Sequence, residues 1–200
     1  MSMSLNQEFT PLKLLRFAAP SIIMMIFMSM YTIIDGMFVS RFVGSNALSA
    51  TNIVYPVINI MIAIATMMAT GGNAIISKYL GEGKKEKANQ LFSMLVLVSV
   101  LCGVGLAVLG LSFLRPIASA LGAQGQMLED SVAYGRIILI AIPAFILQYE
   151  FQCLFATAQK PKLGLYVTVA AGLTNVVLDA VFVAVFSWGV EGAAAATALS

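Results

Sequence analysis

Runs of about 20 apolar residues, the length a helix needs to cross a hydrocarbon layer about 30 Å thick, recur throughout this chain. They fall near residues 17–39, 53–76, 91–114, 132–156 and 163–186, and another opens at Val190 and reaches Ser200. At about 1.5 Å per residue, that last run covers about half of the hydrocarbon. Few folds accept such a series. In lipid, backbone N–H and C=O groups must be paired within the protein, so an isolated apolar span becomes a helix. The expected fold is an all-α polytopic membrane bundle: a six-helix lobe over residues 1–200, with the sixth helix incomplete at 190–200. Because a half-span would leave backbone groups unpaired in lipid, the expectation is an N-terminal part of a longer protein.

Composition removes the soluble alternatives. Charged residues make up 10% of the chain, apolar residues 60%, and the mean hydropathy is +0.94, whereas about a quarter of a soluble domain is charged. A net charge of +2 sets up no field suited to nucleic acid. Histidine is absent, which removes the commonest general base and metal ligand. Cys102 and Cys153 sit in apolar runs without CxxC spacing and read as packing residues. Lys13 and Arg16 precede the first run as in a signal peptide, but the run is too long and no small-residue cleavage site follows. It reads as a retained first helix.

The basic residues give an orientation. Lys13 and Arg16 lie before the first span, Lys78, Lys84, Lys85 and Lys87 between the second and third, and Lys160 and Lys162 between the fourth and fifth. The alternate connections hold only Arg41, Arg115 and Arg136. The positive-inside rule then expects a cytoplasmic N-terminus in a multi-pass protein of the cell membrane. Between the second and third spans, Leu80-Gly81-Glu82-Gly83-Lys84-Lys85 looks like a phosphate-binding loop. It has Lys78 where the first glycine belongs and Lys85 where Ser or Thr should follow, so ATP is not implied. Gly71, Gly72, Gly103, Gly105, Gly164, Gly172 and the run from Gly192 to Ala196 suit close helix packing.

Charged groups within hydrocarbon cost about 3 kcal/mol on insertion scales and usually serve a pathway, an ion or a proton. Glu150, near the inner end of the fourth span among Gln148, Tyr149 and Gln152, is read as interfacial, reaching headgroups, or else as lining an inner vestibule. Asp35 and Asp179 lie deeper: about 27 Å and about 24 Å from the cytoplasmic ends of their spans at 1.5 Å per residue. Asn175 is one turn below Asp179 on the same face. Thr197, on the descending sixth helix, falls in the same layer, and Tyr134 enters just above. Asp35 has a plainer reading as an outer-edge residue, since Arg41 follows closely. Together the carboxylates, amide and hydroxyl are hard oxygen ligands that suit Na⁺ and equally suit a proton.

Several of these features together resemble the multidrug and toxic compound extrusion (MATE) transporters. They are Pro20 with Asp35-Gly36, the stretch from Gly71-Gly72-Asn73-Ala74 through Leu80-Gly81-Glu82-Gly83, Tyr134, Thr174-Asn175 with Asp179, and Gly189-Val190-Glu191-Gly192-Ala193 leading to Ala196-Thr197. The likeness runs from about Leu12 to the end. It implies an exporter of two six-helix lobes that extrudes small organic cations in exchange for Na⁺ or H⁺, with no other cofactor. This chain would be the N-terminal lobe, and a second lobe is expected in the complete protein. By the same resemblance, Asp35, Asn175, Asp179 and Thr197 match the family's N-lobe cation site, with Na⁺ as the metal it would take. Tyr134 matches a residue beside that site, and Pro20 a first-helix proline near the bending segment.

The alternative within transport is a lipid-linked-sugar flippase of related architecture. That reading needs basic residues in the cavity to hold a diphosphate, and the spans carry carboxylates with almost no Lys or Arg. An intramembrane enzyme would need a nucleophile and base or a metal site. Neither HExxH nor GxSxG occurs, so the chain is not read as an enzyme.

Overall fold

The computed structural model describes residues 11–158 and 160–200. These form α1 (Pro11–Phe38), α2 (Ser45–Gly81), α3 (Lys85–Ala120), α4 (Gln126–Thr157), α5 (Pro161–Asp179) and α6 (Gly189–Leu199), with no strand among the described residues. Two helices end in π-helical turns, Val39–Val43 after α1 and Ala180–Val185 after α5. Each apolar run therefore becomes one helix, and most helices outlast their runs. With 37 residues, α2 is about 55 Å long at 1.5 Å per residue, well beyond the hydrocarbon. Helical hydrogen bonding continues into the interface because nothing there forces it to stop. As a result Lys78, Lys85, Lys87, Arg115, Arg136 and Lys162 lie in helices rather than in connections.

Local sequence explains the ends. Pro11 and Pro161 open α1 and α5, where the missing N–H costs nothing and the fixed φ suits a helix. Glu86, Glu129 and Glu191 occupy first turns, complementing the positive end of the helix dipole. Between α2 and α3 the chain reverses through Gly83 at φ 76°, a left-handed conformation that glycine adopts without penalty. Lys84 pairs with Glu82 at 2.7 Å in the same turn. The phosphate-loop look-alike is a tight helix–helix turn.

Packing divides the bundle. α2, α3 and α4 pack on one another, α1 packs chiefly on α5, and α6 bridges α4 and α5. Val54, Ile58, Met61 and Ala65 of α2 recur at three- and four-residue spacing and meet Ile138, Leu139, Ile142 and Ile146 of α4. Close approach depends on particular glycines. A Cβ on Gly103 of α3 would lie 2.8 Å from Pro143 Cα of α4, and one on Gly172 of α5 would lie 2.6 Å from Phe27 Cε1 of α1. Gly71 and Gly105 depart from the packing role expected of them: a Cβ on either meets nothing within 4 Å. Both point outward. Cys102 and Cys153 are unpaired and half-buried.

The outer surface is as apolar as the core. Ile33, Met67, Leu97, Leu101, Ile140 and Val177 all stand exposed, Met67 by 74%. A continuous apolar exterior of this kind is a lipid-facing surface, and among the described residues five helices are long and apolar enough to cross a membrane.

Candidate ion-coupling site

Helices α1 and α5 each end in a π-turn, and each carries its carboxylate at or just before that transition. Asp179 is the last residue of α5, and Asp35 lies in the last turn of α1. π-Turns often mark functional positions because they leave the regular helical ladder locally broken. The pairing of α1 with α5 makes the two carboxyls direct electrostatic neighbours, close enough to share a proton. Asp179 is fully buried, and no protein group hydrogen-bonds its Oδ1 or Oδ2 or the Oδ1 of Asp35. Buried, unpartnered acceptors facing one another are costly unless something positive lies between them.

The remaining members gather around this pair. Asn175, 1% exposed, has neither amide atom partnered. It lines a small pocket of about 50 Å³ together with Thr197, Tyr31, Gln148 and Thr168. Thr197 donates its hydroxyl to Ala193 O at 3.0 Å, which leaves its oxygen lone pairs as acceptors. Asp35, Thr197 and Tyr134 line a second cavity of about 220 Å³, and Tyr134 is buried with its hydroxyl beside that of Tyr55. Thr197, Tyr31, Phe145 and Gln148 are common to both spaces. The structure thus brings Asp35, Asn175, Asp179, Thr197 and Tyr134 into one region. Their free acceptor atoms are hard oxygens, a donor set that fits Na⁺ or a proton, while no group of three or more His, Cys, Asp or Glu that could hold a metal occurs among the described residues.

Pro20 lies inside α1. Its side chain falls outside the described residues. Glu150 requires a correction. It is not interfacial: it is 1% exposed and accepts a hydrogen bond from the Ser99 hydroxyl. On α4 it points about 160° away from Gln148 and Gln152 and about 100° away from Tyr149, the three residues of its stretch that line the larger cavity. Tyr31 and Tyr55 also line that cavity and were not singled out from the sequence. The available signal was a hydroxyl-bearing aromatic within an apolar span. Among the described residues no Lys or Arg lines the larger cavity, and Asp35 is the one charged side chain.

Fold and site together define a polytopic helical membrane protein in which the first and fifth helices hold a buried carboxyl pair beside a polar cavity. The MatE family model matches residues 20–181, and the chain belongs to that family. It is 26% identical over 187 residues to the multidrug export protein MepA of Staphylococcus haemolyticus, a match covering 94% of this chain and 41% of the relative. It is 25% identical to MepA of Staphylococcus aureus (strain MRSA252), covering 94% of this chain and 42% of the relative. Among solved structures, an outward-facing multidrug resistance MATE family transporter of the MOP superfamily superposes with a TM-score of 0.87 at 26% identity. That match covers 92% of this chain and 41% of the other. A MOP superfamily transporter from Pyrococcus furiosus, described as having a binding pocket of reverse polarity, gives 0.86 at 26% identity and the same coverage. The chain spans about two fifths of the length of the relatives it matches.

Proposed function

We propose that this chain is the N-terminal lobe of a secondary antiporter that exports small organic cations in exchange for Na⁺ or H⁺. The carrying observation is the fully buried, unpartnered Asp179 beside half-buried Asp35, at a cavity that holds no basic side chain among the described residues. The carboxyl pair takes the coupling ion, with Asn175 Oδ1 and Thr197 Oγ1 as neutral donors. Tyr31, Tyr55, Tyr134 and Tyr149 line the cavity, and aromatic rings attract organic cations. Occupation of the site must favour one of the inward- and outward-facing states, since a ligand that binds both equally shifts nothing. Pro20 and the π-turn of α1 are where that helix would bend. The second lobe completes the cleft, and the basic helix ends face the cytoplasm in the plasma membrane. A diphosphate-carrying flippase is disfavoured by the acidic, lysine-free lining.

The test is transport in vesicles that contain the complete protein. Efflux of a fluorescent organic cation should persist without ATP and collapse when the H⁺ and Na⁺ gradients are both abolished. ATP-driven efflux in gradient-free vesicles would contradict this reading.

A further inference from the structure

Glu150 is a second buried carboxyl, far from the first pair. Along α4 it lies about 24 Å from Tyr134 at 1.5 Å per residue, at the end of the bundle that carries the α2–α3 turn. It points into the seam between α2, α3 and α4. There it meets Ser99 of α3, fully buried, and Asn73 of α2, 5% exposed. The Ser99 hydroxyl donates to Glu150 Oε1, while Glu150 Oε2 has no partner. Asn73 Nδ2 donates to Ala69 O at 2.9 Å and to the backbone O of Glu150 at 3.4 Å, and Asn73 Oδ1 is left unpartnered. No Lys or Arg forms an ion pair with Glu150 among the described residues. Cys153, on the same helix, is the other titratable group that its charge reaches.

An ionised carboxylate held by one hydroxyl and no cation is poorly compensated for leaving water. A metal ion does not fit the place. Hard cations need several oxygen ligands, and the seam offers the free oxygens Oε2 of Glu150 and Oδ1 of Asn73. A proton needs one acceptor and almost no volume. The geometry also supplies a way in. One turn further along α2, Ser77 donates to Asn73 O at 2.8 Å, and its oxygen lies 3.3 Å from Thr157 Oγ1 of α4, whose hydroxyl can donate to it. Ser77 is exposed, so polar groups of α2 and α4 continue along the seam from Asn73, whose amide holds the Glu150 backbone, to its open end.

We propose that Glu150 is a proton-binding site in the α2–α3–α4 seam, distinct from the Asp35–Asp179 pair and reached past Ser77 and Thr157. The proton comes from a hydronium ion at the open end, leaving water, and the new O–H bond forms at Oε2. Oε1 then becomes the carbonyl oxygen that accepts from Ser99. This site does not depend on the coupling role of Asp35 and Asp179, and its test reads protonation rather than export.

Infrared spectra of the purified protein in lipid at neutral pH should contain the carbonyl band of a buried protonated carboxyl. Glu150→Gln should remove that band, and Asp35→Asn and Asp179→Asn should leave it in place. Ser99→Ala should keep the band but move it to higher frequency, because the carbonyl loses its hydrogen bond. A full set of protonated-carboxyl bands in folded Glu150→Gln would overturn the proposal. If Glu150→Gln does not fold, Ser99→Ala decides alone: a shifted band supports the site, and an unshifted spectrum overturns it.

Discussion

Asp179→Asn places the carboxyl pair under the most direct test. Asp179 is fully buried, its carboxylate oxygens receive no hydrogen bond, and Asp35 is its electrostatic neighbour. Two ionised carboxylates about 4 Å apart repel by about 4 kcal/mol at an effective dielectric of about 20. A proton or Na⁺ between them relieves that repulsion. At about 1.4 kcal/mol per factor of ten, a repulsion of that size would favour an occupied over an empty site by roughly a thousandfold. An amide at residue 179 keeps the shape but removes one charge, so the empty site is no longer penalised and the drive to take up an ion is lost. The complete protein should therefore insert and fold as well as the unsubstituted one, with an equal or higher Tm, since an ionisable group has left the membrane. Gradient-driven efflux of a fluorescent organic cation should fall at least about tenfold, the effect of about 1.4 kcal/mol, and Asp35→Asn should behave alike. Abundance, Tm and efflux are measured on the same preparations. Normal efflux from Asp179→Asn would refute the coupling role, whereas low abundance with normal efflux per molecule would mark a structural aspartate whose loss leaves a buried partner exposed.

Gly103→Ala should lower stability by about 1–3 kcal/mol, since the added methyl meets the α4 backbone and α3 must move. Gly105→Ala, with open space around it, should be neutral or slightly stabilising by thermal unfolding. In a background lacking Cys102 and Cys153, a cysteine replacing Glu82 should react with impermeant thiol reagents only once the cytoplasmic face is opened. One replacing Glu191 should react from outside, and reversed labelling would invert the orientation. Arg115 and Glu129 pair at 2.5 Å with side chains more than half exposed, so Glu129→Gln should change stability by less than about 1 kcal/mol in the same unfolding assay.

The helices were legible because apolar run length answers directly to bilayer thickness. The proximity of Asp35 to Asp179 was legible for a related reason. A fixed rise per residue places Asp35 and Asp179 at similar depth when counted from the apolar runs, even though α1 and α5 begin earlier, at Pro11 and Pro161. Depth is a one-dimensional quantity, and sequence carries it well. Rotation about the helix axis is different. In a soluble helix polarity marks the outward face, but here the outward face meets lipid and is as apolar as the core. The tight Gly103 and the open Gly105 therefore look alike in sequence.

α4 shows how much depends on that missing angle. Gln148, Tyr149, Glu150 and Gln152 form one polar stretch near a helix end, where an interfacial position explains all of them equally well. The fold separates them by about 100° of rotation per residue. Gln148, Tyr149 and Gln152 face the cavity, and Glu150 turns into the seam with Ser99 and Asn73. Ser99 is a lone hydroxyl in an apolar run 51 residues away, and nothing in its own neighbourhood signals a partner. Polar residues within lipid-facing helices take their meaning from the helix they touch. The same α4 therefore serves a cavity with polar lining on one side and a packed seam on the other, which lets one lobe hold the Asp35–Asp179 pair and Glu150 in separate electrostatic surroundings.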